Sequence, residues 1–236
     1  MVKVGLARSD EQELLDEPEL HGRHLPGTLG DLRRINRWLG GTHLTLTGLE
    51  SLVGNRPLGS PIAVLDVGTG GGDIPIAVAR WAQSRGRPIR IVATDVSPEI
   101  LQIASATTQP GVEFGLADAR QLPFEDDSFD VALCSLLVHH FPREEAVTVL
   151  SEMSRVSRIG VVVNDLVRGR PGQAGAWAVG HLLTVNPITR HDAPASARRA
   201  YTREELRELG ELAGLRDVRT RGWLGYRVAL TGRPQS

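Results

Sequence analysis

Residues Val64 to Pro75 read Val-Leu-Asp-Val-Gly-Thr-Gly-Gly-Gly-Asp-Ile-Pro. An apolar run with the character of a buried strand carries Asp66, and glycines at 68, 70 and 72 then lead into a helix. Lacking a Cβ, Gly68, Gly70 and Gly72 let the chain turn at positive φ and bring bare backbone, with Thr69 between the first two, against a flat ligand. A Gly-x-Gly-x-x-Gly dinucleotide fingerprint needs its third glycine at position 73, where this chain has Asp73. The Asp66 carboxylate, two residues before the first glycine, repels a phosphate and suits a ligand that carries an amino group. Ser135 to Phe141 reads Ser-Leu-Leu-Val-His-His-Phe. An imidazole there, His139 or His140, can take a proton from a hydroxyl near neutral pH, or simply pack and bond to backbone. His181, His191, Asn164 and Asp165 are rival candidates for the same work. A paired His and Asp can also bind a metal, but no ligand spacing in the chain points to one, and none is expected.

The elements that must position these groups follow from periodicity. From Pro61 onward, strands and helices alternate, the pattern of a largely parallel sheet covered on both faces. Strands are predicted over Ile62–Val67, Ile89–Asp95, Val112–Ala117, Phe129–Ser135 and Ile159–Leu166. Helices are predicted over Asp73–Arg85, from Ser97 and Pro98 through Thr107, and across Ala146, Val149, Leu150, Met153 and Val156. Thr202 and Glu205 form a capping box for a further helix, and Leu215–Arg221 with Tyr226–Thr231 reads as a terminal antiparallel hairpin. Ahead of the sheet, Leu29, Leu32, Ile35 and Leu39 recur at helical spacing up to Gly40-Gly41, as a lid or brace, and Leu44–Val53 forms a second helix. Six acids between Asp10 and Glu19, with little apolar periodicity, predict a frayed or loosely docked start without chemistry. Between the fifth strand and the capping box, Arg168–Tyr201 is an insertion with an uncharged middle, Gln173–Val185. Trp177 and His181 share a face there at i and i+4, a candidate acceptor wall.

The glycine loop with its preceding acid resembles motif I of the class I S-adenosylmethionine (SAM)-dependent methyltransferases, and the resemblance covers roughly Pro61 to Gly232. It implies an α/β fold: a doubly wound, Rossmann-like, mostly parallel seven-stranded sheet, with a helical extension or lid over residues 1–60 and the insertion at 168–201 on a SAM-binding domain, 61–236. It also implies that Asp95, ending the second strand in Ala-Thr-Asp-Val-Ser with Val96 after it, binds the ribose hydroxyls, for which a carboxylate's two acceptor oxygens are suited. Asp118, followed by Ala119, is implied to accept from the adenine amino group, and Ser135 to border the same crevice. The stretches Asp31–Gly41, Val162–Leu166 and Arg190–Thr202 look like bacterial small-molecule methyltransferases of polyketide or phenolic-lipid pathways, and more distantly the quinone-biosynthesis type. Two departures stand out. Arg158-Ile-Gly160 replaces the Lys/Arg-Pro-Gly-Gly turn of many relatives, and the Asn/Asp-Pro-Pro-Tyr/Phe motif that goes with amide and exocyclic-amine methylation is absent.

The resemblance implies methyl transfer from SAM, expected on an oxygen of a phenolic or polyketide-like small molecule, with a histidine as base. An RNA or protein acceptor, or a non-catalytic SAM-binding role, are the alternatives; an NAD-dependent oxidoreductase is disfavoured by the glycine spacing. Arg198 and Arg199 either hold an acidic acceptor or face solvent. Bulk properties fit this range: 236 residues, 41% hydrophobic and 23% charged, bound one globular α/β core. A formal net charge of −1 gives no general reason to expect a nucleic acid or anionic membrane as partner. No uncharged run has the length of a membrane span and no apolar secretory leader is evident, so a cytoplasmic location is expected. The one cysteine, Cys134, excludes an internal disulfide and reads as core packing. Lys3 is the only lysine among 27 basic residues, a coding bias rather than a functional signal.

Overall fold

In the computed structural model, which describes residues 7–17, 22–57, 59–107 and 109–235, seven strands form one sheet in the order β3-β2-β1-β4-β5-β7-β6. They are β1 (Ile62–Val67), β2 (Ile89–Asp95), β3 (Val112–Leu116), β4 (Phe129–Ser135), β5 (Ser157–Leu166), β6 (Arg216–Trp223) and β7 (Arg227–Arg233). The first five are parallel; β7 runs antiparallel to both β5 and β6. The doubly wound, mostly parallel sheet is the one the sequence predicts, terminal hairpin included. The helices are α1 (Leu25–Trp38), α2 (Gly41–Val53), α3 (Asp73–Ser84), α4 (Pro98–Ser105), α5 (Arg143–Arg155), α6 (Arg170–Ala178), α7 (Pro187–Arg199) and α8 (Arg203–Leu212). A π-helical turn, Val179–Leu183, follows α6 directly.

Alternation along each strand divides the core between two faces. Leu65, Val67, Ala132, Cys134, Val161 and Val163 pack with α5 and α8. Ile62, Val64, Val131, Leu133 and Val162 pack with α2 and α3. Cys134 is fully buried within the first group, as its apolar setting predicts. Close approach is built in where α2 crosses the sheet: a Cβ on Gly48 would lie 2.8 Å from Val162 Cγ1.

Two helix starts differ from the sequence reading by a turn or so for physical reasons, while other element ends shift by one to two residues. Helix α1 starts at Leu25, with Pro26 in its first turn, because Leu25 and Leu29 bury against Ile100 of α4. Gly40, at φ 83°, ends α1 and at once caps α2, so the second helix begins at Gly41 rather than Leu44.

The frayed start is a correction. Residues 7–17 lie docked along α7 and the turn after β4, and Glu13 is 3% exposed. Arg8 donates to the carbonyls of His139, Phe141 and Arg199 and stacks over the Tyr201 ring. Asp192 accepts from the backbone N–H groups of Leu14 and Leu15 at 2.8 and 3.0 Å. The acids Glu11 and Asp16 pair with Arg198 and Arg199. Three of the acids that predict fraying, Glu11, Glu13 and Asp16, are thus held by cations that lie far away in sequence; Glu19 lies outside the described residues.

Candidate functional site

β1, β2 and β4 end side by side where the chain direction of the winding reverses, and open α/β sheets hold ligands at this edge. Gly68 and Gly70 stand at φ 68° and 52°, so the loop after β1 turns through conformations that a side chain disfavours. A Cβ on Gly68 would sit 2.7 Å from Leu137, whereas Gly70 faces open space. The Gly70 N–H donates to Asp95 Oδ2 at 3.0 Å, and Asp95 Oδ1 accepts from Ser97 N at 3.1 Å, tying the loop to the tip of β2. Ser97, not Asp95, caps α4, its hydroxyl accepting from Ile100 N.

A cavity of about 610 Å³ opens at this edge. It gathers Asp66, Gly68, Thr69, Gly70, Asp95, Val96, Asp118, Ala119 and Ser135, every cofactor candidate except Gly72. Gly72 is corrected: at φ 73° it forms the N-cap of α3 beneath Phe114, and Gly71 lines the cavity instead. Burial, reinforced by Asp73 and Asp95, pushes the Asp66 carboxyl up to about 8, and its Oδ2 is buried without a hydrogen-bond partner. Burial likewise raises Asp95, against the backbone donors that favour its charge. Asp118 is more exposed, and the Arg120 guanidinium that clamps its carboxylate holds it below the usual range.

A second cavity of about 300 Å³ adjoins the first and shares Leu15, Leu32, Leu136 and His140 with it. Its walls are mostly apolar or small, among them Ile35, Leu39, Gly175, Ala176 and Val179. Leu136, at the junction, holds a left-handed φ of 56° unusual for leucine, fixed by its N–H donating to Asn164 O at 2.9 Å. That turn aims the next residues inward. His139, 2% exposed, meets Asp165 Oδ1 through Nδ1 at 2.6 Å and Glu13 Oε1 through Nε2 at 3.4 Å. Burial opposes charge on this imidazole, but Asp165 and Glu13 override it and push its pKa up to about 10. His139 therefore carries a proton at neutral pH, contrary to its reading as a neutral base.

His140 differs from its neighbour. Its Nδ1 lies 2.9 Å from Asp16 Oδ1, and it borders both cavities. His140 and Arg199 hold Asp16 down at about 2 despite the opposing effect of burial. Glu13, His139 and His140 each bring one ligand-type atom within 4.8 Å of one another, a grouping that no local spacing reveals.

The remaining candidates lie elsewhere. His181 is exposed, stacked on Trp177 with ring centroids 4.8 Å apart, and lines a surface pocket beside Val185 and Asn186 rather than either cavity. The insertion does wall the second cavity, but through Gly172, Gly175, Ala176, Ala178 and Val179, the small-residue side of α6. His191 binds Asp192 at the surface. Asn164 is buried, donating to Gly41 O and Thr45 Oγ1 and accepting from Arg227. Arg199 is also corrected: 8% exposed and engaged with Asp16 and the His140 carbonyl, it neither faces solvent nor stands free for an acceptor.

Comparison with known proteins adds the relationship. Residues 64–160 match the family described as methyltransferase domain. An uncharacterized protein of Mycobacterium tuberculosis is 30% identical over 156 residues, covering 64% of this chain and 54% of that protein. The ubiquinone/menaquinone biosynthesis C-methyltransferase of Rickettsia prowazekii is 31% identical over 102 residues, covering 39% of this chain and 41% of that protein. The chain thus spans about half the length, or less, of these curated relatives. Human N-acetylserotonin methyltransferase in complex with SAM shares the fold at 15% identity with a TM-score of 0.68, over 97% of this chain and 64% of that one. A SAM-dependent methyltransferase of Aquifex aeolicus does so at 19% identity with a TM-score of 0.62, over 88% and 97%. The matched stretch and the strand order agree: residues 64–160 match a methyltransferase domain, and the chain shares the fold of solved SAM-dependent methyltransferases.

Proposed function

We propose that the chain transfers a methyl group from SAM to an oxygen of a small aromatic or polyketide-like acceptor seated in the 300 Å³ cavity. The carrying observation is the junction: a carboxylate-lined cavity and a mainly apolar one abut, and His140 borders both. SAM, when bound, supplies a methyl group on a positively charged sulfur. The residues present fit such a group. The unpartnered Asp66 Oδ2 suits an ammonium, Asp95 retains acceptor capacity for a diol, and the open space at Gly70 admits close approach to the loop backbone. Asp118 would accept from the adenine amino group, beside Ala119.

On the acceptor side, the protein's work is alignment, exclusion of water and handling of one proton. Leu15, Leu32 and Leu136 line the junction with apolar surface. His140 is the base: Asp16 on Nδ1 orients the ring, and Nε2 takes the hydroxyl proton. His139, already protonated, is a positioning residue that pins Glu13 and with it the N-terminal segment. Residues 7–17 and helix α1 act in this reading as the cover of both cavities. An acceptor cavity of this size fits a small molecule better than an RNA or protein segment, the alternatives weighed from sequence.

The test is incubation with methyl-labelled SAM and a panel of phenols, quinols and carboxylic acids, with the product's methylated atom assigned by NMR. His140→Ala is expected to lower turnover roughly 10²- to 10⁴-fold while SAM affinity stays near wild type. Unchanged turnover would remove the base assignment, and a methyl group on carbon would overturn the choice of oxygen.

A further inference from the structure

Arg227 opens β7 at the wall of the acceptor cavity, and it is a fully buried side chain at 0% exposure. A guanidinium so placed calls for a carboxylate, because a buried charge without one is costly. Two other buried arginines have theirs: Arg168 meets Glu205 at 2.6 Å and Arg199 meets Asp16 at 2.9 Å. Among the described residues, Arg227 hydrogen-bonds only to neutral partners. Its Nη2 donates to Asn36 Oδ1 at 2.8 Å, its Nη1 to Asn164 Oδ1 at 3.3 Å, and its Nε has no partner at all. Arg87 is also buried without a carboxylate, but it lies ahead of β2 and lines neither cavity.

Both amides are committed in orientation. Asn36 donates its Nδ2 to Asp73 Oδ2 at 3.0 Å, and Asn164 donates its own to Gly41 O and Thr45 Oγ1, so each must turn its oxygen to the arginine. The nearby acids are engaged elsewhere. Asp165 accepts from the His139 ring, the His139 N–H and the Leu166 N–H, and Asp73 is bridged to Arg227 by Asn36 rather than bonded to it. The guanidinium is thus hydrogen-bonded to neutral groups, with Asp165 and Asp73 acting on it through space without a direct bond, in a residue that borders a largely apolar cavity.

We infer that the acceptor carries an anionic oxygen group, a carboxylate or an acidic enolate, and that Arg227 is the specificity-determining residue that receives it. This rests on the second cavity being the acceptor site. An anion at Arg227 and a hydroxyl at His140 would fix which way the acceptor lies. Arg198 and Arg199, the arginines suggested by sequence for an acidic acceptor, are taken up by the N-terminal segment, and the role passes to one that no local motif marks.

The test is calorimetric titration of the protein saturated with S-adenosylhomocysteine. The probes are 2-hydroxybenzoate and its neutral analogue 2-hydroxybenzamide, then dimedone, an acidic enol without a carboxylate, and its neutral enol methyl ether. Wild type is expected to bind one or both anionic probes roughly 10- to 100-fold tighter than their neutral counterparts, and the probe preferred tells carboxylate from enolate. Arg227→Gln is expected to erase the difference, with S-adenosylhomocysteine heat and melting temperature reporting that the variant is folded. The wild-type comparison stands even if the variant does not fold. Equal affinity within each pair, binding of no probe, or a preference retained in Arg227→Gln would overturn the inference. Absence of heat from S-adenosylhomocysteine itself would instead overturn the methyltransferase reading.

Discussion

The two cavities are assembled in opposite ways. The cofactor side comes mainly from short runs of chain at neighbouring strand tips: 66–74 after β1, 95–97 after β2, 117–120 after β3 and 135–137 after β4. The acceptor side is gathered from remote pieces: Glu13 and Leu15, one face of α1, the His139-His140 turn, the small-residue side of α6, parts of α7, and Tyr226 with Arg227. Contiguous pieces make a site that the sequence can announce, and scattered ones do not. On the first side Asp66 Oδ2 and Thr69 Oγ1 are buried without a hydrogen-bond partner, whereas on the second the Glu13, His139 and Asp165 side chains hold one another in place.

This contrast can be broken in measurable ways. The largest expected effect is on the cofactor side: Asp95→Ala removes two oxygen acceptors and should weaken SAM binding about 100-fold in calorimetry, with the melting temperature little changed. A comparable loss in acceptor-probe affinity would show that the sides are not separable. Asn36 is the place where they are joined, bonding Asp73 of one and Arg227 of the other. Asn36→Ala leaves both buried groups short of a partner and should cost about 2 kcal/mol, seen as a drop of roughly 4–8 °C in melting temperature.

The ion triple of Glu13, His139 and Asp165 gives a smaller, pH-dependent effect. The folded-state pKa of His139 is raised from the usual 6.5 to about 10, so its contribution is fully present below about pH 6.5 and fades as pH rises toward 10. Glu13 and Asp165 are shifted down against the opposing effect of burial, so their contribution is lost only as pH falls below the normal carboxylate range. Thermal melts from pH 6 to 10 should slope downward in wild type and less so in His139→Gln; equal slopes would mean that the imidazole is neutral. At the small end, Arg198→Ala breaks an exposed pair with Glu11 and should change stability by less than about 1 kcal/mol.

The sequence was legible where chemistry and local geometry coincide. Gly68, Gly70, Asp66 and Asp95 announce themselves because a glycine turn and a strand-end acid are matters of adjacent residues. The mostly parallel sheet and the terminal hairpin were legible in the alternation of strand and helix patterns. Gly72 was misread as part of the ligand surface because spacing alone cannot separate a glycine that faces the cavity from one that caps α3. Glu13 and Arg227 were missed for a different reason. Neither has a revealing neighbour in sequence, and each acquires its setting only when α7 or α1 folds against it. Trp177 and His181 do share a face, but periodicity does not say whether that face looks inward, and it looks out.

The solitary thiol of this chain has a practical consequence. Cys134 lies fully buried in β4, and burial keeps it protonated far above neutral pH, so alkylating reagents should leave it untouched in the folded protein. A cysteine introduced at Ser9, whose N–H bonds to the Arg198 carbonyl, would then be the sole reactive handle. A fluorophore there would report whether the docked segment 7–17 stays in place when a ligand is added.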